Sequence, residues 1–143
     1  MPAKIEKATK LKTGKITQKV LIPNASPEQV YRALLSSKIH GEFTGSPANV
    51  SARKGAKFTA WDCYITGKNI SLVKGKEIEQ EWRTTEFPDE FGDSILKIKL
   101  KVKGSGTELT MIQSKIPASQ VSKYKEGWHE SYWDPMIEYF RKK

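Results

Sequence analysis

The sequence predicts an α+β fold in which a curved antiparallel β-sheet wraps around a long C-terminal helix, with two short helices between the first and second strands. Three observations lead there. A strand-like alternation at Lys15–Ile22 runs straight into a capped helical segment. From Gly55 to Ile116 short apolar/polar alternations are broken by turn residues, with no helical stretch between them, which is the order of an antiparallel meander. The final 26 residues then carry a broad aromatic stripe at helical spacing. A meander sheet buries one face, and the terminal stripe is the surface that can cover it.

A length of 143 residues suits one domain with a sizeable core. Residues 1–13 read as a loose, flexible basic arm and residues 14–143 as the folded domain. In KITQKVLI, Ile16, Gln18, Val20 and Ile22 share one strand face. In the segment that follows, Ser26 is placed to cap a helix, Pro27 suits its first position, and Gln29 completes a capping box. Val30, Ala33 and Leu34, edged by Tyr31, form its apolar stripe, and the helix should end near Ser36 or Ser37. KIHGEF makes a second short turn of helix that buries Ile39 and Phe43.

KFTAWDCYI reads as one strand, with Phe58, Ala60, Asp62 and Tyr64 on one face. Gly67 and Asn69 then mark a turn, Ile70–Val73 a short strand, and Lys74–Gly75 another turn. In EIEQEWR, Glu77, Glu79 and Glu81 oppose Ile78, Gln80 and Trp82; in LKIKLKVK, Lys97, Lys99, Lys101 and Lys103 oppose Leu96, Ile98, Leu100 and Val102. The acidic and basic faces should lie side by side towards solvent, paired near Glu79–Lys99 and Glu81–Lys97 around the loop EFPDEFGD. The last strand, Thr107–Lys115, groups Leu109, Met111 and Gln113. After Gly127, the helix places Trp128, Tyr132 and Met136 in one row beside Trp133, Ile137 and Phe140, and Pro135 should bend it.

The formal net charge of +9 lies mostly at the ends: residues 1–20 hold six Lys against one Glu, and Arg141, Lys142 and Lys143 close the chain. A groove that follows phosphates needs its charge on the folded surface, so nucleic acid is not an expected partner. No run approaches the roughly 18 apolar residues of a membrane span, and no signal-like apolar stretch follows the basic start. Cys63 is the single cysteine, which excludes an internal disulfide and suits a reducing, cytoplasmic setting. His40 and His129 are the two histidines, and neither they nor Cys63 has a companion at metal-ligand spacing. A Cys63–His129–Glu130 triad has no support in spacing, and KGSG and TGK lack the context of a phosphate loop. No metal, cofactor or catalytic residue is therefore expected.

GWHESYWDPMIEYF, residues 127–140, packs two Trp, two Tyr, a Phe and a His into one segment. It could serve as an aromatic ligand box, a site around His129, or a core wall; its place as the sole cover for the sheet favours core or cavity wall. A curved sheet around a bulky helix commonly leaves an elongated apolar gap. Asp62, Gln80 and Gln113 share faces with apolar residues, so they are either satisfied within the fold or serve as polar anchors in such a gap.

SPEQVYRAL, GAKFTAWDCYITG, the strand ending Trp82–Arg83, GTELTMIQSKIP and EGW resemble the activator of the ninety-kilodalton heat-shock chaperone ATPase, in its C-terminal domain and small standalone homologues. The similarity spans about residues 15–141. It implies membership of the START-like, or Bet v 1-like, superfamily and its helix-grip fold. One departure is Cys63, where the family pattern usually has glycine. Another is the N-terminus: full-length members carry a separate N-terminal domain with the principal chaperone-contacting motif, and only the basic arm stands there in this sequence. The resemblance implies a non-catalytic co-chaperone module whose partner is the heat-shock chaperone, with Lys97, Lys99, Lys101 and Lys103 as contacts. The alternative is a binder or carrier of a small hydrophobic ligand, lined by Phe58, Tyr64, Trp82, Met111, Trp128 and Tyr132 and oriented by Asp62, Gln80 or Gln113.

Overall fold

The structure is a computed structural model that describes residues 11–143, so most of the basic arm expected over 1–13 lies outside the described residues. Strand β1 runs Thr13–Ile22 and turns Ile16, Gln18 and Ile22 inward. Helix α1, Pro27–Leu35, opens with the capping box read from the sequence: the Ser26 hydroxyl accepts from the Gln29 amide, and the Gln29 side chain accepts from the Ser26 amide. Helix α2, Ser37–Thr44, follows directly, with Ser36 ending one helix and capping the next. It buries Phe43 but only half-buries Ile39, and its fourth residue, His40, lies inside the protein.

Strands β2 (Lys57–Ala60), β3 (Ile65–Val73), β4 (Glu77–Thr84), β5 (Ser94–Lys103) and β6 (Gly106–Pro117) complete a curved six-stranded sheet. Its order is β1-β6-β5-β4-β3-β2, antiparallel throughout. Two expectations for the β2–β3 region do not hold. The strand expected to run through KFTAWDCYI breaks after Ala60, because Trp61, Asp62 and Cys63 all take left-handed backbone conformations, with φ of 51°, 54° and 69°. The Asp62 amide is held there by Pro47 O at 3.0 Å. The position where the family pattern has glycine is thus one whose backbone glycine adopts without strain. The expected turn at Gly67–Asn69 is absent, since β3 passes through both residues with a bulge beside Asn69. Gly67 is there for space: a Cβ on it would collide with Glu81 O and the Phe58 ring.

The acidic face of β4 and the basic face of β5 do share the outer side of the sheet. Their register differs by two residues from the expected one, with Glu77 opposite Lys99, Glu79 opposite Lys97 and Glu81 opposite Ile95. The loop sets this register. Arg83 donates to Asp93 at 3.0 Å and to Phe91 O at 2.9 Å, and Ser94 donates to Trp82 O at 2.6 Å, so β5 starts opposite Trp82, close to the end of β4. Val102, expected inside, is 69% exposed because β5 outruns the cover on that face.

The C-terminal 26 residues are helical as expected, but without a separate turn over 121–124 ahead of Gly127. After a short turn at Ala118–Gln120 the helix runs as α3 (Val121–Trp128), a widened π turn (His129–Trp133) and α4 (Asp134–Arg141), passing through Gly127 without interruption. Pro135 has no amide hydrogen, and its ring would crowd the carbonyl four residues back. The widened turn answers this: the Asp134 amide reaches His129 O, five residues back, instead of closing an α turn. Residues five apart diverge by about 140° on an α-helix, yet here Trp128 and Trp133 stack at 5.3 Å between ring centroids, 14° from parallel. The inner face of the helix, Tyr124, Trp128, Tyr132, Trp133, Met136 and Phe140, is buried, while His129 and Glu130 are exposed.

Candidate functional site

The interface between sheet and helix is aromatic, and its glutamine side chains are matched to specific partners, while among the described residues Trp61 Nε1 at its edge has none. Trp128 Nε1 donates to Gln113 Oε1 at 2.8 Å, Gln113 Nε2 to Ser94 Oγ at 3.1 Å, and Ser94 onward to Trp82 O. On β1, Gln18 accepts from Trp133 Nε1 at 2.9 Å and donates to Lys125 O at 2.9 Å. Gln80 donates to Asn69 Oδ1 at 2.9 Å, and Asn69 donates to Ser51 O and Arg53 O, both at 2.9 Å. These amides tie helix to sheet and the β2 approach to the bulge in β3. A buried amide that already holds such partners loses them if it turns to a ligand.

Two cavities lie along this interface. The larger, about 70 Å³, is bounded by Trp61, Tyr64 and Ile65 from the β2–β3 hairpin, Trp82, and Tyr124, Trp128 and Tyr132 from the helix. The smaller, about 30 Å³, touches His40, Phe58, Gln80, Trp82, Trp128 and Tyr132. Of the residues expected to line a ligand cavity, Tyr64, Trp82, Trp128 and Tyr132 meet at the first and Phe58 and Gln80 join at the second. Met111 and Gln113 are fully buried away from both, and Asp62 sits exposed in the left-handed turn rather than on an inner strand face.

A polar strap joins the loop after β4 to the start of α3 through Tyr64 and Tyr124, two residues that line the larger cavity. Glu86, in the loop after β4, accepts from the Tyr64 hydroxyl and pairs with Lys123 at the start of α3. The Lys123 bond, then the Tyr64 bond, hold the Glu86 carboxyl below the usual carboxylate range. Glu86 O also takes Gln120 Nε2 at 2.8 Å. Beneath it the Tyr124 hydroxyl lies 2.6 Å from Thr84 Oγ1 and donates to Gln120 Oε1 at 2.7 Å, and burial pushes this phenol upward.

Sequence reasoning missed His40. It is 3% exposed, with Nε2 at 3.1 Å from the Tyr132 hydroxyl, the Phe43 ring beside it, and Nδ1 without a partner among the described residues. Burial pulls this imidazole down to about 4, so it is neutral at physiological pH. The available signal was its spacing: His40 and Phe43 are three apart on one helix, as valid a buried pair as Ile39 and Phe43.

On the outer face Lys97 and Lys99 lie across from Glu79 and Glu77, while Lys101 and Lys103 reach Glu108 on β6 at 3.5 and 3.3 Å. The two Glu108 contacts are surface pairs worth little individually, and Lys97 and Lys99 are strand neighbours of Glu79 and Glu77 without an ion pair among the described residues. Among the described residues no group of His, Cys, Asp and Glu is placed to hold a metal ion, and no helix is long and apolar enough to cross a membrane.

The family profile described as "Activator of Hsp90 ATPase homolog 1-like protein" matches residues 24–141. The chain belongs to this family. It is 32% identical over 131 residues to the mouse "Activator of 90 kDa heat shock protein ATPase homolog 1" and 31% identical to the human one; each match covers 92% of this chain and 38% of the relative. The chain thus spans well under half the length of these relatives. An HSP90 activator from Plasmodium falciparum has the same fold, with a TM-score of 0.73 at 21% identity over 85% of this chain and 91% of that one. So does Ara h 8.0201, at 0.71 and 10% identity over 92% and 100%. The Bet v 1-like helix-grip architecture therefore persists across family members and more distant structures with little sequence in common.

Proposed function

We propose that this chain is a non-catalytic co-chaperone module that contacts a ninety-kilodalton heat-shock chaperone and favours its closed, dimerised conformation. The observation that carries the reading is the match of 92% of the chain to named activators of that chaperone's ATPase. The interior supports it from the other side. Sites that bury a small organic molecule are commonly several hundred cubic ångströms, whereas the cavities here are about 70 and 30 Å³ and the interior glutamines Gln80 and Gln113 are bonded within the protein. That weighs against the ligand-carrier alternative and leaves the surface as the working part. Lys97, Lys99, Lys101 and Lys103 are the proposed contacts, supplying steering and register. The test is binding of the full chain to the heat-shock chaperone of the same cell, with nucleotide present at low ionic strength. Association that weakens as salt rises, and weakens further in Lys97→Glu with Lys99→Glu, is the expected result. No association under those conditions overturns the reading.

A further inference from the structure

The outer end of the sheet contains a step. Strand β4 begins at Glu77, opposite Lys99, whereas β5 continues to Lys103 with β6 as its partner on the other side. Leu100 N donates to Lys76 O at 2.8 Å, the last backbone bond on the β4 side. Backbone groups alternate in direction along a strand, so Val102, two residues on, points its N–H and C=O the same way, where no strand lies. Val102 is 69% exposed. The step is the floor of an open concavity of about 630 Å³ whose walls include Pro27, Gly75, Lys76 and Lys101. Four lysines border it, Lys19, Lys76, Lys99 and Lys101, against Glu77 and Glu108. Glu108 already holds Lys101 and Lys103, while Lys76 and Lys99 have no ion pair among the described residues.

We propose that this step is a docking slot for an extended acidic segment of a partner protein, which adds beside Lys101–Lys103 as a short strand, its backbone pairing with Val102 and its carboxylates meeting Lys76 and Lys99. An exposed strand edge is a template for such addition. The charge selects the occupant. A second copy of β5 laid antiparallel about Val102 would set Lys101 against Lys103 of its counterpart, and like charges directly opposite are unfavourable. The chain's own first ten residues hold three lysines and one glutamate, the wrong sign. The inference stands whether or not the partner is the chaperone.

The probe is a fluorescein-labelled heptapeptide of alternating glutamate and valine, titrated into the full chain at low ionic strength and followed by anisotropy and by backbone amide shifts. The expected result is saturable binding with its largest shifts at residues 100–103, at least about tenfold weaker for the lysine–valine analogue. Val102→Pro removes the one N–H aimed into the slot and leaves the β6 ladder intact; it should weaken binding by about tenfold or more, as should Lys76→Glu with Lys99→Glu. No binding, shifts centred on the β1 or β2 edge, or affinity unchanged by Val102→Pro overturns the proposal. So does a single-stranded oligonucleotide that binds more tightly and independently of residue 102. If the proline variant does not fold, hydrogen exchange of the Val102 amide in the native chain decides. Slowing on addition of peptide supports the slot, and an unchanged rate refutes it.

Discussion

The inner and outer faces of β4, β5 and β6 are built from the same strands in strict alternation, and they treat polar groups in opposite ways. Inside, Gln80, Ser94 and Gln113 are few, buried and bonded to specific partners across the sheet and on the helix. Outside, glutamates and lysines are many, solvated and loosely matched. A buried amide with the wrong neighbour costs about 1–3 kcal/mol, so inside polarity specifies one arrangement of helix on sheet. An exposed charge with the wrong neighbour costs a few tenths of a kcal/mol, so outside polarity remains free to meet a partner.

The largest test of this division is Trp128→Ala. Emptying a buried aromatic site and orphaning Gln113 should lower stability by about 3–5 kcal/mol, read as a fall in the denaturant midpoint. An unchanged midpoint would show that the aromatic row is a surface and erase the distinction between the faces. Next is His40, an ionisable group kept neutral inside. Its folded pKa of about 4 lies below the ordinary 6.5. The unfolded chain therefore takes up a proton that the folded one refuses between those values. Its contribution is complete above about pH 6.5 and is lost as pH falls towards 4, about 3 kcal/mol in all. Urea midpoints across that range should fall more steeply for the native chain than for His40→Phe; parallel curves would mean that His40 is not buried neutral.

Gln113→Leu should cost about 1–3 kcal/mol, because it leaves the Trp128 N–H without an acceptor in a closed interface. A neutral result would mean that helix and sheet repack around the loss. The smallest effect is expected outside, where Lys97→Ala should change stability, read from the denaturant midpoint, by less than about 0.5 kcal/mol. A loss comparable to that of Gln113→Leu would show the outer charges to be structural after all.

What the sequence revealed follows the range of the forces involved. The capping box around Ser26 and Gln29 is local chemistry and was legible residue by residue. The faces of β4 and β5 were legible because alternation has a period of two, and for the same reason it cannot distinguish a register from one shifted by two. Glu79 was accordingly paired with Lys99 when it faces Lys97. The break at Trp61–Cys63 was invisible because no glycine announces the left-handed turn, and Gly67 misled because it serves the approach of Phe58 rather than a bend. In the candidate site, Gln80 and Gln113 could be placed on an inner face, but their partners Asn69, Ser94 and Trp128 come from other elements. Lone periodicity does not supply such pairings.

The widened turn at His129–Trp133 decides how many rings the helix can turn inward. Tyr124, Trp128, Tyr132, Met136 and Phe140 are buried at unbroken intervals of four, and Trp133, one position beyond Tyr132, is buried with them. Neighbouring residues on a uniform α-helix point about 100° apart, so a narrow stripe accommodates one of two adjacent rings. With one hydrogen bond spanning five residues, Trp133 comes round to stack on Trp128 while Tyr132 still meets His40. The extra residue in that turn therefore adds a second ring to the middle of the cover, in the same place that gives the ring of Pro135 its room.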